Sequence, residues 1–346
     1  MKEYRIHSIH PYHAKFYPGI PLYFIQKYAT KESVVLDPFC GSGTTLVETN
    51  LAGLEADGVD INFLSAKMSR AKTLKTDREK LEQYADYIRS STDERDIHFP
   101  DHEYWLTTEN YRKICRLLNG IQSIEDEDYR NVFEVLLSAI IKTVCNKRDT
   151  WNYGYIADNV LPNKPCLLDA ERTFWKRYES YLEAVEELPA DYENRARVFC
   201  CDVSDFRPDR QYDLVITSPP YPFAVDFARY NRLSYYLLGE DLDDAVNRET
   251  GARNKRNRRG CVEQFFSEME TIYQSIHRCT KSGGLLCMTI GDTKRKKSPI
   301  LFTEWLTHLL NTWGWSIVES GTRQLSRQSM GQKRIPTENV LVLRKG

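Results

Sequence analysis

One nine-residue stretch constrains this chain more than any other: Asp37-Pro38-Phe39-Cys40-Gly41-Ser42-Gly43-Thr44-Thr45, entered from the apolar run Val34-Val35-Leu36. An apolar run ending in an acid and a glycine-rich turn reads as a buried strand delivering a ligand-holding turn. Gly41 and Gly43 let the backbone approach that ligand with no Cβ in the way. Thr44 and Thr45 open the next helix, where unpaired N–H groups collect. The spacing is not the dinucleotide fingerprint, and no Gly-Lys-Ser/Thr follows as in a P-loop. The stretch predicts strand, tight turn, helix and a small nucleotide-like ligand, whose identity it leaves open.

The alternation continues with a helix over Thr45–Leu51, a strand over Ala56–Asp60 and a helix over Phe63–Leu74. Such a βαβα run implies parallel strands with right-handed crossovers. Asp60 ends the second strand about 20 residues beyond the glycine turn, where an acid accepts hydrogen bonds from ribose hydroxyls. Residues 78–195 break the pattern with helices near 79–90, 109–121, 128–146 and 169–187, and read as a helical insertion. Within it, the basic and aromatic loop from Lys147 to Tyr155 is suited either to stacking on bases or to anchoring itself on the core. Strands resume at Arg197–Cys201 (followed by Asp202), Tyr212–Thr217 and Leu285–Ile290, with a helix over Val262–Thr280. Helix Thr303–Trp313 and strands Trp315–Glu319 and Asn339–Arg344 close the chain. The expected fold is α/β: a Rossmann-like, seven-stranded, mostly parallel sheet over 1–77 and 196–346, interrupted by the 78–195 insertion.

At 346 residues and 41% apolar content, there is enough chain for a large buried core. The formal charge of −1 does not advertise a nucleic-acid binder, so the distribution of charge has to be examined. Nine cysteines without a C-x-x-C pair are expected to be reduced thiols, neither a disulfide framework nor a zinc site. The polar start from Met1 to His10 lacks a leader's apolar core, and no apolar stretch reaches membrane length, so a soluble cytoplasmic protein without a membrane partner is expected. His7, His10 and His13 have no carboxylate or cysteine at ligand spacing. They read as part of a segment leaning over the glycine turn, and no metal is expected.

The second motif, Asp213-Leu214-Val215-Ile216-Thr217-Ser218-Pro219-Pro220-Tyr221, settles the class. A buried strand here delivers a hydroxyl, two prolines and an aromatic ring to its carboxyl end, where ligands of open α/β sheets bind. The prolines fix the backbone and lack N–H groups, so nearby carbonyls stand ready as acceptors. Such acceptors plus a flat ring suit a planar base presenting its exocyclic amino group.

With both motifs in hand, the chain resembles the S-adenosylmethionine-dependent DNA amino-methyltransferases, the cytosine-N4 and adenine-N6 family. Asp37 to Gly43 looks like that family's cofactor turn and Ser218 to Tyr221 like its catalytic tetrad. His10-Pro11-Tyr12-His13-Ala14-Lys15-Phe16 looks like its N-terminal cofactor motif, and Glu338-Asn339-Val340-Leu341-Val342-Leu343 like its closing strand. The resemblance covers roughly 1–75 and 196–346, in the unpermuted order, and does not explain the insertion. It implies that Asp37, Phe39, Gly41 and Gly43 line the methionine and ribose of the cofactor, and that Asp60 holds the ribose. It further implies that Asp202 and Val203 meet the adenine and that Lys15 and Phe16 close over it. Ser218 and the Pro219 carbonyl would accept hydrogen bonds from the target amine, with Pro220 keeping the turn rigid and Tyr221 stacking on the flipped base. S-adenosylhomocysteine is the implied product.

Serine in the tetrad's first position favours cytosine-N4, since adenine enzymes of the family more often carry Asp or Asn there. Cytosine-C5 chemistry needs a Pro-Cys at this strand end, and the one Pro-Cys, Pro165-Cys166, lies in the insertion. The rivals are adenine-N6 methylation, an RNA amino-methyltransferase and an inactive DNA-binding subunit. Three basic loops leave the expected active-site rim: Arg248 and Arg253, Lys255, Arg256, Arg258, Arg259; then Lys294, Arg295, Lys296, Lys297; then Arg323, Arg327, Lys333, Arg334. Together they read as a phosphate track for double-stranded DNA. Sequence selection is assigned to the insertion and the 222–260 loop, and a cognate restriction endonuclease is the expected functional partner.

Overall fold

The computed structural model of the chain describes residues 3–148, 162–295, 298–324 and 337–346. The chain forms two compact units, one of residues 1–13, 70–192 and 228–245, the other of residues 14–69, 193–227 and 246–346.

Among its described residues the second unit has nine strands: β1 (Val34–Asp37), β2 (Glu55–Asp60), β3 (Ala196–Cys200), β4 (Tyr212–Thr217), β5 (Thr280–Ile290), β6 (Thr293–Arg295), β7 (Ser298–Ile300), β8 (Trp315–Gln324) and β9 (Thr337–Lys345). Seven of them form one sheet in the order β3-β2-β1-β4-β5-β9-β8, while β6 and β7 make a separate antiparallel ribbon. Strands β1 to β5 pair in parallel, and β9 enters antiparallel between β5 and β8. The expected seven-stranded, mostly parallel sheet is borne out. Strand order reverses between β1 and β4, and such a switch point opens a crevice at the carboxyl ends of the strands. Asp37 ends β1 and Thr217 ends β4, so the glycine turn and the Ser-Pro-Pro-Tyr tetrad leave neighbouring strands side by side.

Local chemistry explains these elements. Val35 and Leu36 are fully covered, as a parallel strand with both faces packed requires. A Cβ on Gly58 of β2 would stand 2.5 Å from Leu46 Cδ1, so only glycine lets helix Thr44–Leu51 lie this close to the sheet. Asp57, whose side chain is completely buried in β2, is gripped by Arg197 (2.8 Å to each oxygen), by Arg210 (2.6 and 3.1 Å) and by the Tyr212 hydroxyl at 2.5 Å. Burial pushes the Asp57 carboxyl up, but the Arg197, Arg210 and Tyr212 hydrogen bonds outweigh it and leave it below the usual carboxylate range. This cluster ties β2, β3 and the entry to β4.

The helical unit is dominated by helices Arg78–Ser90, Thr108–Gln122, Glu127–Val144 and Ala170–Glu186. Each begins at an Asp or Thr whose side chain takes a first-turn N–H: Asp77 from Lys80, Thr107 from Asn110, Asp126 from Tyr129 and Asp169 from Arg172. Buried Asn110 donates to the Val144 and Leu168 carbonyls and accepts from the Ala170 N–H, joining three of them. The unit is wider than the 78–195 insertion expected from sequence. It takes in residues 1–13 and 228–245, because buried His10 Nε2 lies 3.0 Å from the Ser138 hydroxyl, itself 2.8 Å from that of Ser234. Most of the aromatic loop between Lys147 and Tyr155 lies outside the described residues, as do Lys296, Lys297, Arg327, Lys333 and Arg334. No disulfide joins any of the nine cysteines, and among the described residues no helix is long and apolar enough to cross a membrane.

Asp57→Ala should leave the Tyr212 phenol without its acceptor and the two guanidinium groups with only their outer carboxylates, Asp209 for Arg197 and Glu55 for Arg210. Because both arginines are partly exposed and can rehydrate, the expected cost is about 3 kcal/mol in urea unfolding. The Asp57 contribution is present above the carboxylate pKa of the unfolded chain and is lost as pH falls through the lower folded value. The difference between wild type and D57A should therefore shrink on acidification.

Candidate active site

The site is built on two strand ends. In the glycine turn, Gly41 has φ 51° and Gly43 φ 79°, left-handed values that favour glycine. A Cβ on Gly43 would lie 2.9 Å from the Ser69 Cα, so the position is closed to side chains twice over. Helix Thr44–Leu51 starts directly from this turn. The Thr44 hydroxyl there is buried without a hydrogen-bond partner among the described residues. A glycine cradle and an orphaned hydroxyl at a helix start suit a polar ligand.

Two carboxylates flank the turn. Asp37, 2% exposed, accepts from the Phe39 N–H at 3.1 Å and from the Thr217 hydroxyl at 2.7 Å. Asp60 accepts from the Gly41 N–H and the Asn62 N–H, each at 2.8 Å. Burial pushes both acids up to about 6, with the Asp37 charge adding to the shift of Asp60. At neutral pH both are ionised in a site that resists their charge. A cationic ligand relieves that cost.

The Asp37–Thr217 bond links the two motifs directly. Thr217 is fully buried, and its hydroxyl reaches from the last residue of β4 to the last residue of β1. One residue later the tetrad begins. Ser218 and Tyr221 are half-buried, and the Tyr221 phenol donates to Glu338 Oε1 at 2.9 Å. Burial, with the Glu338 charge behind it, raises the phenol well above its ordinary pKa, so it stays a hydrogen-bond donor.

Beyond the tetrad the backbone turns sharply. Phe223 holds φ 57°, a strained value for an aromatic residue. Its N–H donates to the Gly251 carbonyl at 2.7 Å, the Arg253 N–H to the Val225 carbonyl at 3.1 Å, and the Asn254 N–H to Asp226 at 2.7 Å. These bonds stitch the basic Arg253–Asn257 turn to the segment leaving the tetrad.

The sequence-selected residues distribute unevenly around this centre. Phe39 and Phe16 are half-buried against the two faces of the sheet core. Lys15 is half-buried, one residue after Ala14, which holds φ 53°. Asp202 caps the single turn Val203–Asp205 by accepting from the Ser204 N–H at 2.7 Å, and Val203 is 5% exposed within the core. Arg253 and Arg256 are half-buried, while Arg258, Arg259 and Lys294 are exposed. Arg295 lies in β6. Lys255 departs from the expected phosphate track. It is 7% exposed and its ammonium donates to the Asn247 carbonyl at 2.7 Å, so it braces the turn from inside. Thr217 and Glu338 were not singled out as site residues. Thr217 could have been found from its place before the tetrad, whereas Glu338 depends on strand register.

Residues 2–69 match the profile of a family described as DNA methylase. The chain is 28% identical to the type II methyltransferase M.MvaI of Kocuria varians over 268 residues, covering 69% of this chain and 58% of that protein. It is 33% identical to the type II methyltransferase M.MjaII of Methanocaldococcus jannaschii over 180 residues, covering 47% of this chain and 32% of that protein. A third relative, the type II methyltransferase M.MthZI of Methanothermobacter thermautotrophicus, is 30% identical over 88 residues, 25% of this chain and 22% of that protein. The chain thus matches between about one fifth and three fifths of the length of these relatives.

Thr217→Val removes the hydroxyl while keeping the shape. The Asp37 carboxylate then loses a buried donor, at a stability cost of about 1–3 kcal/mol. Burial already pushes this carboxyl up to about 6, and without the Thr217 hydrogen bond its titration, followed by carboxyl carbon NMR, should move higher than in wild type.

Proposed function

We propose, on the premise that the chain belongs to the DNA amino-methyltransferase family, that it transfers a methyl group from S-adenosylmethionine to the exocyclic N4 amine of a cytosine flipped out of duplex DNA. The observation that carries this reading is the buried 2.7 Å bond between Asp37 and Thr217, which fixes the cofactor turn and the tetrad in register on adjacent strand ends. S-adenosylmethionine supplies an electrophilic methyl group on a positively charged sulfur. The two buried carboxylates beside the glycine turn suit its charge. Asp37, Phe39, Gly41, Gly43 and Asp60 would hold it, with Asp202 and Val203 at the end of β3 and Lys15 and Phe16 from the N-terminal side.

The chain's own work is then positioning. The Ser218 hydroxyl and the Pro219 carbonyl accept hydrogen bonds from the target N–H groups and hold the nitrogen lone pair out of the ring and toward the methyl. Tyr221 supports the flipped base, offsetting part of the few kcal/mol of unstacking. Rate comes from orientation and from fixed dipoles. Serine at the head of the tetrad supports cytosine-N4 over adenine-N6. Arg253, Arg256, Arg258, Arg259 and Lys294 would serve as phosphate contacts, and the type II names of the relatives support a restriction-modification setting, in which a cognate endonuclease would be the functional partner.

Nucleoside mass spectrometry of DNA from cells expressing the chain should show N4-methylcytosine, absent in Ser218→Ala. N6-methyladenine in its place would overturn the assignment of base. Cofactor affinity measured by calorimetry should fall about tenfold between pH 7 and pH 5, as Asp37 and Asp60 take up protons through their values near 6 and lose the charge that favours a cation. Replacing Arg256, Arg258 and Arg259 with Ala should reduce the slope of log affinity for duplex DNA against log salt by about 2, with cofactor affinity unchanged.

A further inference from the structure

Three stretches of the helical unit meet at Asn146, just past the end of helix Glu127–Val144. Its backbone N–H donates to the Trp105 carbonyl at 2.7 Å and its side-chain amide to the Tyr104 carbonyl at 3.0 Å, while its Oδ1 accepts from the Cys166 N–H at 3.0 Å. Next along the chain, the backbones of Lys147 and Lys164 exchange both hydrogen bonds, at 2.9 and 3.0 Å. In an antiparallel pair of this kind the two side chains leave from the same face. Both lysines are exposed, and like charges set directly across from one another repel. A bound anion turns that repulsion into attraction.

The same joint sets uncovered apolar side chains beside the lysines. Tyr104, whose carbonyl Asn146 holds, is 47% exposed, while Leu167, next to Cys166, is 94% exposed and Leu168 48%. Their backbone is tied down: Trp105 is buried at 5% exposure, and Asn110 donates to the Leu168 carbonyl at 2.9 Å. These side chains therefore stay in water until a partner covers them. A wholly apolar partner would bury two ammonium groups without a counter-charge, which is costly. Duplex DNA meets both demands, with phosphates for the cations and, in its grooves, sugars, base edges and thymine methyl groups for the apolar side chains. We propose that this face of the helical unit is a DNA contact, with Lys147 and Lys164 on backbone phosphates and Leu167 and Tyr104 against sugars and base edges. The inference rests on the DNA methyltransferase reading above and deepens it by naming which residues of the helical unit touch the substrate.

The test uses the full chain, a dye-labelled duplex of mixed sequence followed by fluorescence anisotropy across a salt series, and labelled S-adenosylmethionine for methyl transfer. The double variant Lys147→Ala/Lys164→Ala should lower the slope of log affinity against log salt by about 1 to 2, as lost phosphate contacts do. Leu167→Ser should weaken binding about tenfold with the slope unchanged, the scale of one leucine side chain left in water. Both variants should raise the KM for DNA, while kcat, cofactor Kd and melting temperature stay close to wild type because the altered side chains are exposed. An unchanged slope in the lysine variant, or an unchanged affinity in Leu167→Ser, would overturn the proposal. So would a Leu167→Ser variant whose only change is a switch from dimer to monomer in size-exclusion chromatography, since the face would then be a protein contact. Wild-type protein that puts no label into DNA refutes the functional reading itself. Wild-type protein that labels DNA, with both variants binding as tightly, refutes this contact alone.

Discussion

The structure turns on a single buried contact, the 2.7 Å hydrogen bond from Thr217 to Asp37. It crosses the sheet where strand order reverses, and both partners are the last residues of their strands. Parallel pairing of β1 with β4 brings the two ends together, with Val35 opposite Leu214 and Leu36 opposite Val215. The side-chain bond then fixes how the two loops leave. Without it the glycine turn and the tetrad would share a neighbourhood but not a geometry. For the proposed methyl transfer, two bound partners would have to keep their separation to a fraction of an ångström, so the constraint on the scaffold would also be the constraint on the chemistry.

Burial at this strand edge has an energetic cost that the hydrogen bond only partly offsets, which explains the unusual acids. A carboxylate removed from water and given few donors is held in an unfavourable state, and burial pushes Asp37 and Asp60 both up to about 6. Their partners are backbone N–H groups and one hydroxyl, with no cation among those hydrogen bonds. The contrast with Asp57 is instructive. That acid is also fully enclosed, but two arginines and a phenol drive its titration the other way. One sheet therefore holds a carboxylate satisfied by its own chain and, at its carboxyl edge, two acids whose charge is left for a ligand to balance. Strain concentrated at one edge of an otherwise well-satisfied scaffold is how a binding site differs from a structural ion cluster.

Much of this was legible in the sequence because the signals are local. Seven strands could be counted in the sequence, and the helices expected near 79–90, 109–121, 128–146 and 169–187 lie within two residues of Arg78–Ser90, Thr108–Gln122, Glu127–Val144 and Ala170–Glu186. What the sequence hid is non-local or too short to carry a period. Helices Arg232–Leu238 and Leu242–Arg248 span seven residues each, too few for an apolar stripe. The membership of residues 1–13 in the helical unit depends on His10 meeting Ser138, 128 positions away. Lys255 looks like its basic neighbours in sequence, and only packing reveals that its ammonium serves the Asn247 carbonyl.

Glu338 shows the same limit from the functional side. In the sequence it is an acid before an apolar strand, equally suited to solvent. Its meaning comes from two registers at once. β9 runs antiparallel to β5, with Asn339 beside Ile290, and antiparallel to β8, with Glu338 across from Arg323. The first register carries the carboxylate to the rim where the tetrad lies, and the second sets Arg323 Nη2 3.2 Å from its other oxygen. Inserting β9 antiparallel into an otherwise parallel sheet is therefore more than a closing device. A parallel strand in that slot would end at the rim with its carboxyl terminus. The antiparallel one enters there, and its second residue, Glu338, accepts the hydrogen bond of the Tyr221 phenol.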